Sequence, residues 1–177
     1  MNIKSITLGL ALVVLSSSAL AVDGYKGAKF GSSFEEFKKA KLCNWKKYTG
    51  ENAKGVQSYY CDDFLFSGKN TLVFSIFING QFKRLAISLN ESQNITTIIN
   101  SLEKKYGKPS TMFNAEDVAS VEQNGGSLDM KFDNDTIIVG VKRDPSTKKD
   151  TSMLTYSSPD YFSLLGELDS KNVEGDL

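Results

Sequence analysis

Not one histidine occurs among the 177 residues of this chain. That removes the commonest general base, the middle member of a Ser-His-Asp or Cys-His arrangement, and the commonest transition-metal ligand. An excess charge of one sign is missing too, because 21 basic side chains balance 21 acidic ones. Such a chain exerts no long-range pull on nucleic acid or on an anionic membrane. The lysine pairs Lys46-Lys47, Lys104-Lys105 and Lys148-Lys149 are short and read as solvated faces. The apolar run Ile6–Leu15 falls well short of the roughly 20 residues that a bilayer-spanning helix requires. Cysteine is scarce, with only Cys43 and Cys61 present.

What is present begins with an address. Lys4 supplies a positive start, Ile6–Leu15 the apolar stretch, and Ala19-Leu20-Ala21 a small-x-small cleavage signature. Together they predict a secretory signal peptide over residues 1–21, removed after Ala21. No cysteine follows the cut, so the lipid anchor of a bacterial lipoprotein has no attachment point. The expectation is a periplasmic or secreted protein with no stable membrane anchor. The remainder suits one domain over residues 22–168, large enough to bury about 68–70% of its unfolded surface. In an oxidising compartment Cys43 and Cys61 predict a disulfide contributing about 3 kcal/mol through the unfolded chain. The alternative is two buried thiols.

The order of elements reads as helix, strands, helix, strands. Asp23–Gly31 is glycine-rich and leads in as an extended segment. Ser32 or Ser33, with Glu35 or Glu36 as partner, makes a capping box for a helix reaching Leu42, with Phe34 and Phe37 on its apolar edge. Thr49–Gly55 is a polar loop, and Val56–Phe66 a strand rich in aromatic residues. Asn79-Gly80 suits a two-residue type I′ turn between Leu72–Ile78 and Gln81–Leu89. Unbroken pairing from that turn sets Phe74 against Leu85 and Leu72 against Ile87 on the main apolar face. Phe77 against Phe82, Ser75 against Arg84 and Val73 against Ala86 then form the opposite face.

Ile95, Ile98, Ile99, Leu102 and Tyr106 recur at helical spacing within Ser92–Tyr106, and Gly107 and Pro109 end that helix. Val118–Val121 reads as a weak strand. Leu128, Met130 and Phe132 alternate with polar residues and pair across the Asp133–Thr136 turn with Val141, Val139 and Ile137. Ser152–Tyr156 is a further strand. Pro159 starts a short final helix with Phe162, Leu165 and Leu168 on one side. Residues 169–177 form a polar tail expected to be disordered. The class is therefore α+β, with helices packed on one or two antiparallel sheets built from meanders. Residues 28–89 and 90–157 read either as tandem copies of a helix-then-three-strands unit or as parts of one undivided domain.

Few groupings carry chemistry. Asp62 and Asp63 are consecutive on a strand and cannot share a site without a bulge. Asp133-Asn134-Asp135 suits a tight turn and lacks the glycine and later ligands of a calcium loop. Gly68-Lys69-Asn70-Thr71 lacks the first glycine of a phosphate loop. No metal site and no cofactor is expected. Trp45 reads as a core residue beside the cysteines. Phe77, Phe82 and Arg84 share a hairpin face that is either covered by a second layer or left open as an aromatic-plus-arginine patch, a composition favoured at interface hot spots.

The segment Phe30-Gly31-Ser32-Ser33-Phe34-Glu35-Glu36, followed by a helix, Cys43 and a strand carrying Cys61, resembles the repeat of the β-lactamase inhibitory protein. It also resembles the wider group that includes small outer-membrane assembly lipoproteins. The likeness covers Ala28–Leu89, with a fainter echo over Ser92–Tyr156. It implies two helix-plus-strands repeats forming a concave sheet that clasps another protein. This chain has no second cysteine pair and no lipid-anchor cysteine. The functional expectation is an exported non-enzymatic protein-binding module, as an inhibitor, an immunity factor or an envelope accessory. Two rivals remain: a histidine-independent hydrolase or lyase using carboxylates, and a carrier of a small apolar ligand held between helix and sheet.

Overall fold

Two charged dipeptides decide how this chain folds onto its core. The computed structural model describes residues 21–90 and 93–176, so the expected leader over residues 1–21 lies almost wholly outside the described residues. A hairpin of β1 (Gly24–Tyr25) and β2 (Ala28–Lys29) comes first. The helix α1 (Phe34–Phe37) follows, and a 3-10 turn over Lys38–Ala40 extends it. Ser33 caps α1 and Glu36 closes the box back onto the Ser33 backbone, as the residue spacing predicts. That cap holds the Glu36 carboxyl below its usual pKa, chiefly through the Ser33 backbone hydrogen bond.

The main sheet contains β3 (Lys46–Lys47), β4 (Val56–Phe66), β5 (Lys69–Ile78), β6 (Gln81–Leu89), β7 (Gly126–Phe132), β8 (Ile137–Arg143) and β9 (Asp150–Ser157). Its spatial order is β3-β4-β5-β6-β9-β8-β7, and every pairing is antiparallel. Two meanders, β4-β5-β6 and β7-β8-β9, thus meet through their last strands. The fold is α+β.

Both meanders start from local signals. Asn79 and Gly80 adopt φ of 51° and 76°, the left-handed pair that a type I′ hairpin demands. In the second meander Phe132 pairs with Ile137, Met130 with Val139 and Leu128 with Val141, as alternation predicts. The first meander departs from expectation. Phe77 opposes Phe82, but the next pairs are Ile76 with Arg84, Ser75 with Leu85, Phe74 with Ala86 and Val73 with Ile87. A bulge sets both Lys83 and Arg84 against the single residue Ile76. The predicted pairs Phe74–Leu85 and Leu72–Ile87 therefore do not form.

The physical reason lies in the spacing of the apolar residues of β6. Phe82 and Leu85 are three apart, and a regular strand would put one of them on each face. The bulge lets both enter the core and turns the Arg84 guanidinium away from it. The same device recurs in β4, where Asp62 and Asp63 together oppose Leu72, so that Cys61 and Phe64 both point inward.

The core lies between one sheet face and the helices. Val73, Phe77, Phe82, Leu85, Ile87, Leu154, Ile137 and Phe132 form its floor. Phe34 and Phe37 of α1 cover one half. Phe37 lies 5.3 Å from Phe77 and 4.5 Å from Phe82 between ring centres, and Phe34 stacks on Tyr59. Burying each such ring contributes about 1.5–3 kcal/mol. Trp45 joins this cluster 5.0 Å from Phe37, in the core role expected of it. The helix α2 (Ile95–Tyr106) covers the other half with its predicted stripe, Leu102 being buried.

Val118–Val121, expected as a strand, belongs to the helix α3 (Ala115–Asn124). Asn114 and Asp117 form a reciprocal capping box there, which outweighs the weak β preference of two valines. The helix α4 (Tyr161–Asp176) includes residues 169–176, which were expected as a disordered tail. No helix among the described residues is long and apolar enough to cross a membrane.

Candidate functional site

The second face of the main sheet carries no α1 or α2, and its central residues are apolar. Register alone aligns one lateral row across the six long strands: Tyr60, Phe74, Ala86, Thr155, Ile138 and Lys131. A neighbouring row runs Ser58, Ile76, Arg84 and Ser157. Tyr48, from the segment after β3, leans edge-on to Phe74 with ring centres 6.3 Å apart. Tyr60 lies 6.2 Å from Phe74. Tyr48 and Leu72 are each 39% exposed and Phe162 is 55% exposed, so large apolar side chains here meet solvent.

Two hollows adjoin on this face. One, of about 290 Å³, lies between Tyr48, Phe74, Ile76, Arg84 and Met153. The other, of about 330 Å³, lies between Arg84, Asp129, Ile138, Met153 and Phe162. Arg84, Met153 and Thr155 line both. Gly140 makes room in the second hollow, since a Cβ there would stand 2.7 Å from the Asp129 carboxylate.

Arg84 is the centre of this arrangement. Its guanidinium sits 4.7 Å from the Tyr161 ring centre and 5.4 Å from that of Phe162. Among the described residues no carboxylate pairs with it, so a planar, five-donor cation is held on aromatic rings with its donors available. Two features hold the rings in place. Lys83, the other bulge residue, is only 7% exposed and reaches Asp160 at 2.8 Å, just before α4. Its carbonyl also accepts the Ser158 amide. Burial pushes the Asp160 carboxyl up, but the Lys83 and Ser158 hydrogen bonds outweigh it and hold it below its usual value. Further along α4, Leu168 reaches Gly55, so the helix runs from β6 toward the start of β4.

The residues singled out in the sequence are not brought together. Phe77 is 1% exposed and Phe82 is fully buried. Both lie on the helix-covered face, under Phe34 and Phe37. An accessible patch centred on Phe77, Phe82 and Arg84 does not exist, because the Lys83 bulge sends Arg84 to the other side. The aromatic residues that accompany Arg84 are instead Tyr48, Phe74, Tyr161 and Phe162. A signal for them was available: β5 is apolar on both faces from Leu72 to Ile78, and only one face can lie under α1.

The remaining groupings are structural. Cys43 and Cys61 form a disulfide that ties the segment after α1 to the inner face of β4. Asp63 approaches the two sulfurs, but the disulfide leaves no thiolate for an ion. At the β4 bulge Lys46 binds Asp62 at 3.1 Å and the Asn44 backbone amide donates to Asp63 at 3.1 Å. The carboxylates whose pKa shifts all shift downward: Glu36, Asp62, Asp144, Asp150 and Asp160. Asp62 answers first to its hydrogen bond from Lys46, and Asp150 to that from Arg143.

Comparison with known proteins adds a family without adding an activity. A family model described as "Uncharacterised protein" matches residues 25–176. An uncharacterised protein of Haemophilus influenzae is 31% identical over 170 residues, 95% of each chain. An uncharacterised protein of Pasteurella multocida is 32% identical over 93 residues, which are 49% of this chain and 47% of that one. No solved structure matches the chain at a significant level.

Proposed function

We propose that this protein, which belongs to the uncharacterised family matched over most of its length, is an exported, non-enzymatic module that binds another protein through the open face of its sheet. The observation that carries the reading is Arg84, stacked on Tyr161 and Phe162 beside a belt of part-exposed apolar side chains. Arginine and aromatic residues in a desolvated centre, ringed by apolar contacts, are the composition of interface hot spots. A contiguous apolar surface of this kind marks an interaction site more often than it is left bare. The unpaired guanidinium asks for a carboxylate or a C-terminal carboxyl on the partner, presented among apolar side chains. Export is supported by the leader-like residues 1–21 and by the Cys43–Cys61 disulfide, since such bonds persist in oxidising compartments. The roles open to such a module are inhibitor, immunity factor or envelope accessory.

Site-specific photo-crosslinking in the native host tests this. A photoreactive residue at Leu72 or Phe74 is expected to yield a discrete crosslinked protein, whereas one at Met112, exposed elsewhere, is not. Arg84→Glu should abolish the Leu72 adduct while the fold stays native by circular dichroism, the lost stacking on Tyr161 and Phe162 costing about 1 kcal/mol of stability. Equal crosslinking from Met112, or an adduct indifferent to Arg84→Glu, refutes the assignment to this face.

A further inference from the structure

On the helix-covered side a separate hollow of about 350 Å³ opens between α2, the β1–β2 hairpin and β9. Its volume falls at the lower end of the roughly 300–1,000 Å³ typical of small-molecule sites. Phe66, Ile98, Leu102 and Leu154 give it an apolar floor, and three tyrosines, Tyr25, Tyr106 and Tyr156, complete the wall. Tyr25 and Tyr156 lie 4.9 Å apart between ring centres and both are largely buried. None of the three phenols finds a hydrogen-bond partner among the described residues. Their hydroxyls therefore meet the solvent of the hollow and are free to bond a ligand there. Lys26 and Lys105 stand at the mouth, and among the described residues no acidic one lines the hollow. Neither lysine has an ion-pair partner among the described residues. Instead, the Lys105 ammonium lies 4.9 Å from the Tyr106 ring centre, and that of Lys26 lies 5.4 Å from Tyr25 and 6.0 Å from Phe64.

The hairpin turn itself carries Lys26 to the mouth. Lys26 takes φ of 45° and Gly27 takes φ of 88°, which are the two central positions of a tight hairpin turn. Asparagine or glycine suits the first of these far better than lysine does.

We infer that this hollow binds a small amphipathic acid, its apolar body against Leu102, Ile98 and Leu154 and its carboxylate at the mouth, received by Lys26, Lys105 and the tyrosine hydroxyls. Two ammonium groups and three phenols can donate to one anion, and among the described residues no carboxylate competes. Phenols are protonated at physiological pH and so donate, and burial raises the Tyr25 and Tyr156 hydroxyls further above their ordinary pKa. The site lies on the opposite side of the sheet from the open face, and it stands or falls independently of the protein-binding reading.

Isothermal titration of protein purified from cells expressing the full chain tests it, with decanoate below its micelle threshold and 1-decanol as the uncharged counterpart. Decanoate is expected to bind at least tenfold more tightly than decanol. Lys105→Gln should weaken decanoate several-fold and leave decanol unchanged. Lys26→Asn is the sharper variant: relief of the turn should raise the melting temperature while decanoate affinity falls. Equal affinity for the two probes, no binding of either, or decanoate binding unaffected by both variants overturns the inference.

Discussion

Removing the Asp160 carboxylate probes the contact that joins the β6 bulge to α4. In Asp160→Asn the Lys83 ammonium, with 9% of its side chain exposed, loses the partner 2.8 Å away. Breaking a fully buried ion pair by deleting one member costs about 3–5 kcal/mol. Here 49% of the Asp160 side chain meets solvent, so water can take over part of the role and the expected loss is nearer about 2 kcal/mol. For a domain of this size that lowers the melting temperature by about 4–8 °C. Lys83→Met, which keeps the packing and leaves a half-exposed carboxylate, should cost less than about 1 kcal/mol, and the double variant little more. Urea denaturation followed through the single tryptophan, Trp45, reads all four proteins. The pH dependence gives an independent check. Because the folded pKa of Asp160 lies below its usual value, the pair's contribution is complete at neutral pH and is lost as pH falls below about 4, through the folded pKa. That acid-limb component should vanish in Asp160→Asn. A loss under about 0.5 kcal/mol, or an unchanged acid limb, would show that water already satisfies Lys83 and that the bulge does not depend on Asp160.

Three further outcomes can be checked with the same denaturation assay. Reducing the Cys43–Cys61 bridge, which spans a sequence separation of 18, should lower stability by about 3 kcal/mol; a change under about 1 kcal/mol would mean that the segment after α1 is held by packing alone. The Ser75 hydroxyl is buried without a partner in the aromatic core, so Ser75→Ala should stabilise by about 1 kcal/mol, and a loss instead would reveal a buried water bonded there. Tyr25 has its pKa pushed up to about 12, first by burial and then by Tyr106. Its unfolded form ionises near pH 10, so stability should decline from about pH 10 toward 12, and Tyr25→Phe should lessen that decline in urea denaturation repeated across this range.

The legible parts of this fold are those where one short segment holds the whole cause. Ser33 and Glu36 cap a helix within four residues, Asn79-Gly80 turns a hairpin within two, and the isoleucine stripe of α2 repeats its own period. The β7–β8 register followed from alternation, because only one face of those strands is apolar throughout. β5 and β6 offered no such guide. Leu72, Phe74, Ile76 and Ile78 look as apolar as Val73 and Phe77, and nothing local says which set a helix will cover. The break in β6 was visible as two adjacent charges between core residues three apart. Asp62-Asp63 between Cys61 and Phe64 is the same pattern. Reading either as a bulge requires knowing that both flanking apolar residues belong to one core.

Composition, caps and turns settled the class of fold, the presence of α2, the two hairpins and the availability of a disulfide, because each depends on interactions within a few residues. Tertiary structure decided the sites. It placed α1 over Phe77 and Phe82 and sent Arg84 through the bulge to the open face. It brought Tyr161 and Phe162 back across the sheet to meet that arginine, and gathered three tyrosines from distant segments around one hollow. Those outcomes turn on which of two apolar faces is covered, a competition between burial areas that only the assembled chain resolves.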